Sequence, residues 1–346
     1  MKFDNLESIQ SLAIVGATGL VGQECLDILT EQKIRIPNLK LLASEASAGE
    51  GIDVGGEEIL VEALREDSFD GIEVAFFSVP TDVTRRYVPA ALSAGAIVID
   101  DSSVYRMHQE VPLIIPEVNG ATLRDFNGSL ISNPNCSTIP VALALKPLLD
   151  TFGIERVVVS TYQSVSGAGK AAYEELSTQA IALLSGGSAE AKAFPHRIAF
   201  NCLPQIGSLT ENGNTEEEEK VGRELRKILQ APDLRVSTTA VRVPTFCAHG
   251  ATVNVEFRDD FKDIEEVREL LNNAPGVKIL DNPAHHIYPT NVEAIGSDPA
   301  FVGRLRRDGS VRAGVNFWVI ADNLRKGAAL NVLQCLQTLY TYRRMS

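Results

Sequence analysis

At 346 residues the chain is long enough for two domains with ample cores, and its 45% hydrophobic and 22% charged content is that of an ordinary globular protein. A net charge of −13 argues against a nucleic-acid-binding or membrane surface, so an anionic substrate would need a local cluster of Arg and Lys. Five cysteines (Cys25, Cys136, Cys202, Cys247 and Cys335) are odd in number and fit no zinc spacing, which points to reduced thiols in the cytoplasm and no metal site.

The first ten residues lack a basic region followed by an apolar run, no stretch is long enough to span a bilayer, and no solenoid-type repeat is present. Residues 11–15 then form a buried-strand pattern. Gly16, Ala17, Thr18, Gly19, Leu20, Val21 and Gly22 follow at once, and residues 23–31 have helical spacing. Strand, glycine turn and helix in this order make a dinucleotide-binding turn, in which the backbone approaches a pyrophosphate and the helix start receives its charge. The competing reading is a plain tight turn.

Residues 39–43 read as the second strand. The segment after it offers Ser44, Glu45 and Ser47 and no Arg. An acid here suits the free ribose hydroxyl of NAD, whereas Arg suits the 2′-phosphate of NADP. Strands at 74–78 and 97–100 flank a helix at 82–94. This alternation predicts a doubly wound, Rossmann-like parallel sheet over the first part of the chain. Arg106 lies just beyond the fourth strand, where open α/β sheets bind ligands; a solvated surface role is the alternative.

Residues 130–131 run into a polar turn, Asn133-Pro134-Asn135-Cys136-Ser137-Thr138, and then a helix to about residue 149. A thiol at a helix start meets unpaired N–H groups and the positive end of the dipole, which favours the thiolate. The bland alternative for Cys136 is a buried, inert cysteine.

The chain then changes character. Residues 156–163 alternate as a strand, residues 164–169 form a turn, and residues 170–184 form a helix. Four glutamates, Glu216 to Glu219, open a helix carrying Lys220, Arg223, Arg226 and Lys227, an order that suits the helix dipole. Long strands at 253–257 and 312–320 suit an antiparallel or mixed sheet, and a helix over about 326–342 closes the chain. Asp322 can cap that helix. Arg325 and Lys326 fall in its first turn, where the dipole disfavours cations, so an acid or anion should lie nearby.

The glycine turn, the cysteine turn, Gln163 ahead of Ser166-Gly167, and the run from Arg242 to His249 stand together in a set that resembles the aspartate-β-semialdehyde dehydrogenase family. Residues 115–119, 198–201 and 322–329 extend the likeness over nearly the whole chain. The resemblance implies an enzyme that converts aspartyl phosphate and NADPH reversibly to aspartate semialdehyde, phosphate and NADP. Cys136 would be the nucleophile that forms a thioester, His249 the acid/base, and Gln163 the residue that orients the acyl group. Arg242 would pair with the substrate carboxylate. Arg106 and Lys220 would hold phosphate, with Glu217 fixing the helix that carries Lys220. Gly16, Thr18, Gly19, Leu20, Val21, Ser44, Ser47, Ser166, Gly167 and Asn323 would bind the cofactor. The implied domains are 1–133 for the dinucleotide, with the C-terminal helix 324–346 packing back on it, and 134–323 for catalysis and dimerisation on a mixed sheet. The implied assembly is a homodimer or homotetramer.

Two departures stand out. Ala46 occupies the neighbourhood where NADP-dependent relatives carry an Arg, with Glu45 and Glu50 flanking, so NADP is the first choice and NAD the second. Gly250 follows His249 where a hydroxyl residue is common. The rival functions are a related acyl-phosphate reductase of the N-acetylglutamyl-phosphate type and a non-catalytic paralogue serving as a binding or assembly protein. The presence of Cys136, Gln163, Arg242 and His249 together opposes the latter.

Overall fold

The computed structural model describes Phe3 and residues 5–345. The chain divides into two compact units. One is formed by the residues up to Asn135 together with those from Ala328, the other by Cys136–Gly327.

The first unit is built on a seven-stranded sheet: β1 (Ser11–Val15), β2 (Asn38–Ala43), β3 (Gly51–Val54), β4 (Glu57–Ala63), β5 (Val74–Phe77), β6 (Ile97–Asp100) and β7 (Leu130–Ser132). Their spatial order is β3-β4-β2-β1-β5-β6-β7, and all neighbours are parallel except the β3–β4 pair. Successive residues point to opposite faces, so each strand serves two cores. Leu12, Ile14, Leu41, Phe76 and Ile99 pack with Leu26 and Leu29 of the helix Leu20–Glu31 and with Leu333 and Leu336 of the C-terminal helix Leu330–Met345. Ala13, Val15, Leu42, Phe77 and Val98 pack with Val88 and Ala91 of the helix Thr81–Ser93.

The antiparallel β3–β4 hairpin is absent from the sequence-based expectation. Its strands are largely exposed and mix Asp53, Glu57, Glu58 and Glu62 with short apolar stretches, the longest being residues 59–61, so they lack the longer buried run that marks β1. Its two-residue turn, Gly55-Gly56, has positive φ at both positions (65° and 93°), the twist that hairpins favour.

The second unit carries a six-stranded mixed sheet: β8 (Ile154–Gln163), β9 (Arg235–Arg242), β10 (His249–Phe257), β11 (Val277–Ile279), β12 (Ala300–Arg307) and β13 (Gly314–Ala321), in the order β11-β12-β13-β10-β8-β9. The pairs β8–β9 and β11–β12 are parallel and the rest antiparallel. One face buries Val157, Val159, Val253, Val255, Val315, Phe317 and Val319. The helix Thr138–Phe152 covers β10, β12 and β13, and the helix Glu216–Ile228 covers β9. The opposite face presents Val158, Ser160, Thr252, Asn254, Asn316 and Trp318 along an open groove.

The last expected helix begins later than its pattern indicates. Residues Arg325–Ala329 form a wide π turn, closed by Gly327 N–H donating to the Asp322 carbonyl at 2.9 Å. The Asp322 carboxylate accepts from the N–H groups of Leu324 and Arg325, as a cap should. The acid that offsets Arg325 is Asp298, 2.6 Å from its Nε. Among the described residues, no helix is long and apolar enough to cross a membrane.

Candidate active site

Strand register explains how residues far apart in sequence meet. Gln163 ends β8 and Arg242 ends β9, and the two pair directly in the parallel ladder. β10 runs antiparallel to β8, so His249 at its start lies at the same sheet end, where it pairs with Ala321, the last residue of β13. Asn323 follows two residues on. One edge of the sheet therefore collects Gln163, Arg242, His249 and Asn323, all of them buried.

Half-buried Cys136 immediately precedes Ser137, the residue that caps the helix Thr138–Phe152. The Ser137 side chain makes no cap bond. It contacts the Gln163 amide nitrogen and lies 3.4 Å from Glu217 Oε1. Gln163 Nε2 also donates to Glu217 Oε1 at 2.9 Å, while Glu217 Oε2 is 3.8 Å from Lys220 Nζ. Glu217 and Lys220 are held by a helix that starts on a reciprocal cap: the Thr215 hydroxyl accepts from Glu218 N–H, and the Glu218 carboxylate accepts from Thr215 N–H. Gly327 gives Cys136 its room, since a Cβ at 327 would fall 2.9 Å from the Cys136 Cβ.

Arg242 donates to the Ser164 carbonyl at 2.7 Å. Burial pushes its pKa below the ordinary value, while the nearby charges of Glu217 and Cys136 pull it upward. His249 is driven down from 6.5 to about 3, mainly by burial and then by the charge of Arg242, with the Ala248 carbonyl opposing. Its ring is neutral at physiological pH. Gly167 lies against it: a Cβ there would sit 2.7 Å from His249 Nε2 and 3.1 Å from an Arg242 nitrogen. Behind the ring, His249 Nδ1 lies 3.1 Å from the Ser164 nitrogen and 3.0 Å from the Ser164 hydroxyl. Ser166 and Asn323 complete this buried cluster. Cys247 is half-buried, and its carbonyl accepts from Asn291 Nδ2 at 2.8 Å.

The space beside Gly250 is filled by Trp318, whose ring atoms lie 2.2 and 2.3 Å from where a Cβ would be. Trp318 is held by its indole N–H on the Pro289 carbonyl. A hydroxyl-bearing residue has no room at 250.

In the first unit, Val15, Gly16, Thr18, Gly19, Ser44, Glu45, Val79 and Arg86 are among the residues that line a cleft of ≈ 600 Å³ at the carboxyl ends of β1 and β2. Gly16 has φ +92°, and a Cβ there would meet the Ser78 carbonyl at 2.3 Å. A Cβ on Gly22 would meet the Gly16 carbonyl at 2.4 Å, so the turn is packed against its helix as a dinucleotide cradle requires. Leu20 and Val21 open that helix behind Gly19, its cap. Ala46 sits in a short turn, Glu45–Ser47, and Arg65 reaches within 3.7 Å of Glu45, so this edge is not purely acidic. Arg106 is buried and donates to the Asp101 carbonyl at 2.6 Å. The Asp101 carboxyl is pushed up to about 7 by burial, against the pull of Arg106.

Sequence reasoning missed Ser137, Ser164, Gly327 and Arg65. The first three lie within or beside motifs already noted, but their contacts depend on the fold. Arg65, in the loop after an unanticipated strand, carried no signal.

Residues 11–126 match the family described as semialdehyde dehydrogenase, NAD binding domain, and residues 145–326 match semialdehyde dehydrogenase, dimerisation domain. Aspartate-semialdehyde dehydrogenase from Aquifex aeolicus is 46% identical over 331 residues, covering 95% of this chain and 97% of the relative. The enzyme of that name from Bacillus subtilis is 42% identical over 335 residues, covering 95% and 96%. Among solved structures, aspartate semialdehyde dehydrogenase II from Vibrio cholerae, complexed with ASA, superposes with a TM-score of 0.91 at 42% identity, covering 96% of this chain and 98% of the other. The chain belongs to the aspartate-semialdehyde dehydrogenase family.

Proposed function

We propose that the protein catalyses the reversible, NADPH-dependent reductive dephosphorylation of L-aspartyl 4-phosphate to L-aspartate 4-semialdehyde, a step toward lysine, methionine, threonine and diaminopimelate. The observation that carries this reading is the gathering of Gln163, Arg242 and His249 at one sheet end, with Gln163 bonded to the residue that follows Cys136.

The Cys136 thiolate attacks the acyl carbonyl. A C–S bond forms, the C–O bond to phosphate breaks, and a thioester remains. Arg242 presents a planar fork that suits the substrate carboxylate. Gln163, its amide nitrogen committed to Glu217 and Ser137, orients the acyl group. Lys220 and Arg106 bind the phosphate, with Glu217 steadying the helix that carries Lys220. His249 is the acid/base partner of the acyl oxygen. When bound, the nicotinamide cofactor supplies the hydride that takes the acyl group to the aldehyde. Its phosphates suit the turn of Gly16, Thr18, Gly19, Leu20 and Val21, its ribose suits Ser44 and Ser47, and Ser166, Gly167 and Asn323 are its remaining partners. Arg65 and Arg86 bring positive charge to the edge that carries Glu45, which supports NADP over NAD. The free cysteines support a cytoplasmic location, and the match to a dimerisation domain supports a homodimer or homotetramer.

The test is phosphate-dependent oxidation of aspartate semialdehyde, run side by side with NADP and NAD and followed at the nicotinamide absorbance. Faster turnover with NADP supports the reading in full. Turnover mainly with NAD keeps the reaction and assigns Glu45 to the ribose. No turnover with either moves the substrate to larger acyl phosphates. Cys136→Ala should abolish turnover while nucleotide binding by fluorescence titration persists; turnover that survives would overturn the thioester.

A further inference from the structure

The backbone donor behind His249 points to which of its nitrogens carries the proton. Ser164 and His249 are 0% and 2% exposed, so neither exchanges partners with solvent. The Ser164 backbone N–H donates to Nδ1 at 3.1 Å, and an amide N–H has no acceptor role to fall back on. Nδ1 is therefore unprotonated, and the single proton of the neutral ring lies on Nε2. With Nδ1 an acceptor, the Ser164 hydroxyl at 3.0 Å acts as its second donor.

The groups further back agree with that direction. Ala248 N–H donates to Asn323 Oδ1 at 2.9 Å, which fixes the Asn323 amide. Its Nδ2 then donates to the Ser166 hydroxyl at 3.0 Å. Asn323 Oδ1 also lies 3.2 Å from both serine hydroxyls, so the Ser166 proton has its acceptor there. The Ser164 hydroxyl has two acceptors in reach, Asn323 Oδ1 at 3.2 Å and the nearer Nδ1 at 3.0 Å. On the other side of the ring, Nε2 faces the room left by Gly167, beside the Arg242 guanidinium.

We infer that Ser164 is a positioning residue that holds His249 as the Nε2–H tautomer, so that the ring presents its one proton to the acyl oxygen. The inference rests on the thioester reaction proposed above and narrows the part of its acid/base residue. The balance of that reaction allows it. Thiolate and acyl phosphate give thioester and phosphate, which takes up one proton from solvent to leave as hydrogen phosphate; hydride addition gives an alkoxide, which expels the same thiolate as the aldehyde forms. Neither the making nor the breaking of the C–S bond needs a proton from the ring. An Nε2–H donor stabilises the oxygen's negative charge at both stages, as in an oxyanion hole. Arg242 beside the ring opposes an imidazolium there.

The test is the nitrogen spectrum of the full-length, ligand-free protein labelled with ¹⁵N-histidine at neutral pH, with the His249 signals assigned by their loss in His249→Gln. The expected result is one tautomer, with Nε2 protonated and Nδ1 unprotonated but hydrogen-bonded. Ser164→Ala keeps the backbone donor and removes the hydroxyl, so Nδ1 should move part of the way toward the unbonded position, and kcat should fall about tenfold with KM changed less than about twofold. Ser164→Thr, which keeps the hydroxyl, should retain the wild-type Nδ1 position. A protonated Nδ1 or an averaging pair of tautomers in the wild type overturns the inference. So does an Nδ1 signal that does not respond to Ser164→Ala. The spectrum is read without substrate, so a failed semialdehyde assay would remove the reaction and leave this result standing.

Discussion

Gln163 and Glu217 are bonded side chain to side chain across 54 residues of sequence, tying the end of β8 to the first turn of the helix Glu216–Ile228. A glutamate expected to steady Lys220 thus also fixes the amide that orients the acyl group. Glu217→Ala leaves the Gln163 amide without its charged acceptor. A hydrogen bond to a charged group contributes about 1.5–3 kcal/mol, so kcat/KM should fall about 10- to 100-fold. Steady-state kinetics with phosphate varied decides which role dominates: a fall in kcat marks the amide, whereas a rise confined to the KM for phosphate marks Lys220.

Gly327 should tolerate no side chain. The Cβ of Gly327→Ala would sit 2.9 Å from Cys136 Cβ and 3.3 Å from its Cα, so the cysteine turn has to shift. A misplacement of about 1 Å can cost about 10²-fold, so the smaller shift here is expected to lower kcat by about tenfold. Alkylation of Cys136 by iodoacetamide, followed by mass spectrometry, should slow in parallel. Unchanged alkylation with reduced kcat would place the fault elsewhere.

Arg242→Lys tests the carboxylate role. A lysine keeps the charge and loses both the fork and the 2.7 Å bond to the Ser164 carbonyl. We expect kcat/KM for aspartate semialdehyde to drop about 10²- to 10³-fold, with the thermal unfolding midpoint nearly unchanged. A variant with wild-type kcat/KM would remove Arg242 from the substrate.

His249 makes stability depend on acidity. Its folded pKa is depressed from 6.5 to about 3, so the unfolded chain takes up a proton that the folded protein refuses. Its contribution is intact above 6.5 and is lost as pH falls from there toward 3. The slope is about 1.4 kcal/mol per pH unit, which comes to ~2 kcal/mol at about pH 5. Asp101, pushed up to about 7, acts in the opposite sense, because it gains from acidification. The measurement is therefore the difference in urea unfolding between wild type and His249→Gln, in which Asp101 cancels. The wild type should lose stability faster on acidification; parallel curves would contradict the burial of a neutral ring.

The doubly wound sheet was legible because β1, β2, β5 and β6 are short apolar runs set between helical patterns, which burial on both faces demands. The helix Lys170–Leu184 was read with its observed ends. The β3–β4 hairpin is marked by Gly55-Gly56 and the short apolar stretch at residues 59–61, which the surrounding acids and exposure obscure. Strand β9 alternates exposed and half-buried residues at a sheet edge, so its apolar pattern is faint. Within the site, local patterns pointed to Cys136 and the glycine turn, because a thiol at a helix start and a glycine turn at a strand end are sequence-local facts. The chain from Asn323 through Ser166 and Ser164 to His249 spans 159 residues at its widest and exists only once β8, β10 and β13 are in register. The π turn that brings Gly327 to Cys136 likewise has no sequence period of its own.

The Trp318 ring that occupies the space beside Gly250 bears on the descent of this chain. Neither position is free to mutate alone. A serine or threonine gained at 250 first would collide with the indole. An indole lost first would leave a hole one residue from His249 and strip a hydrogen bond from the Pro289 carbonyl. A lineage in this arrangement would leave it only through a handicapped intermediate, so the pair should behave as a ratchet, and the two sites are expected to be inherited together.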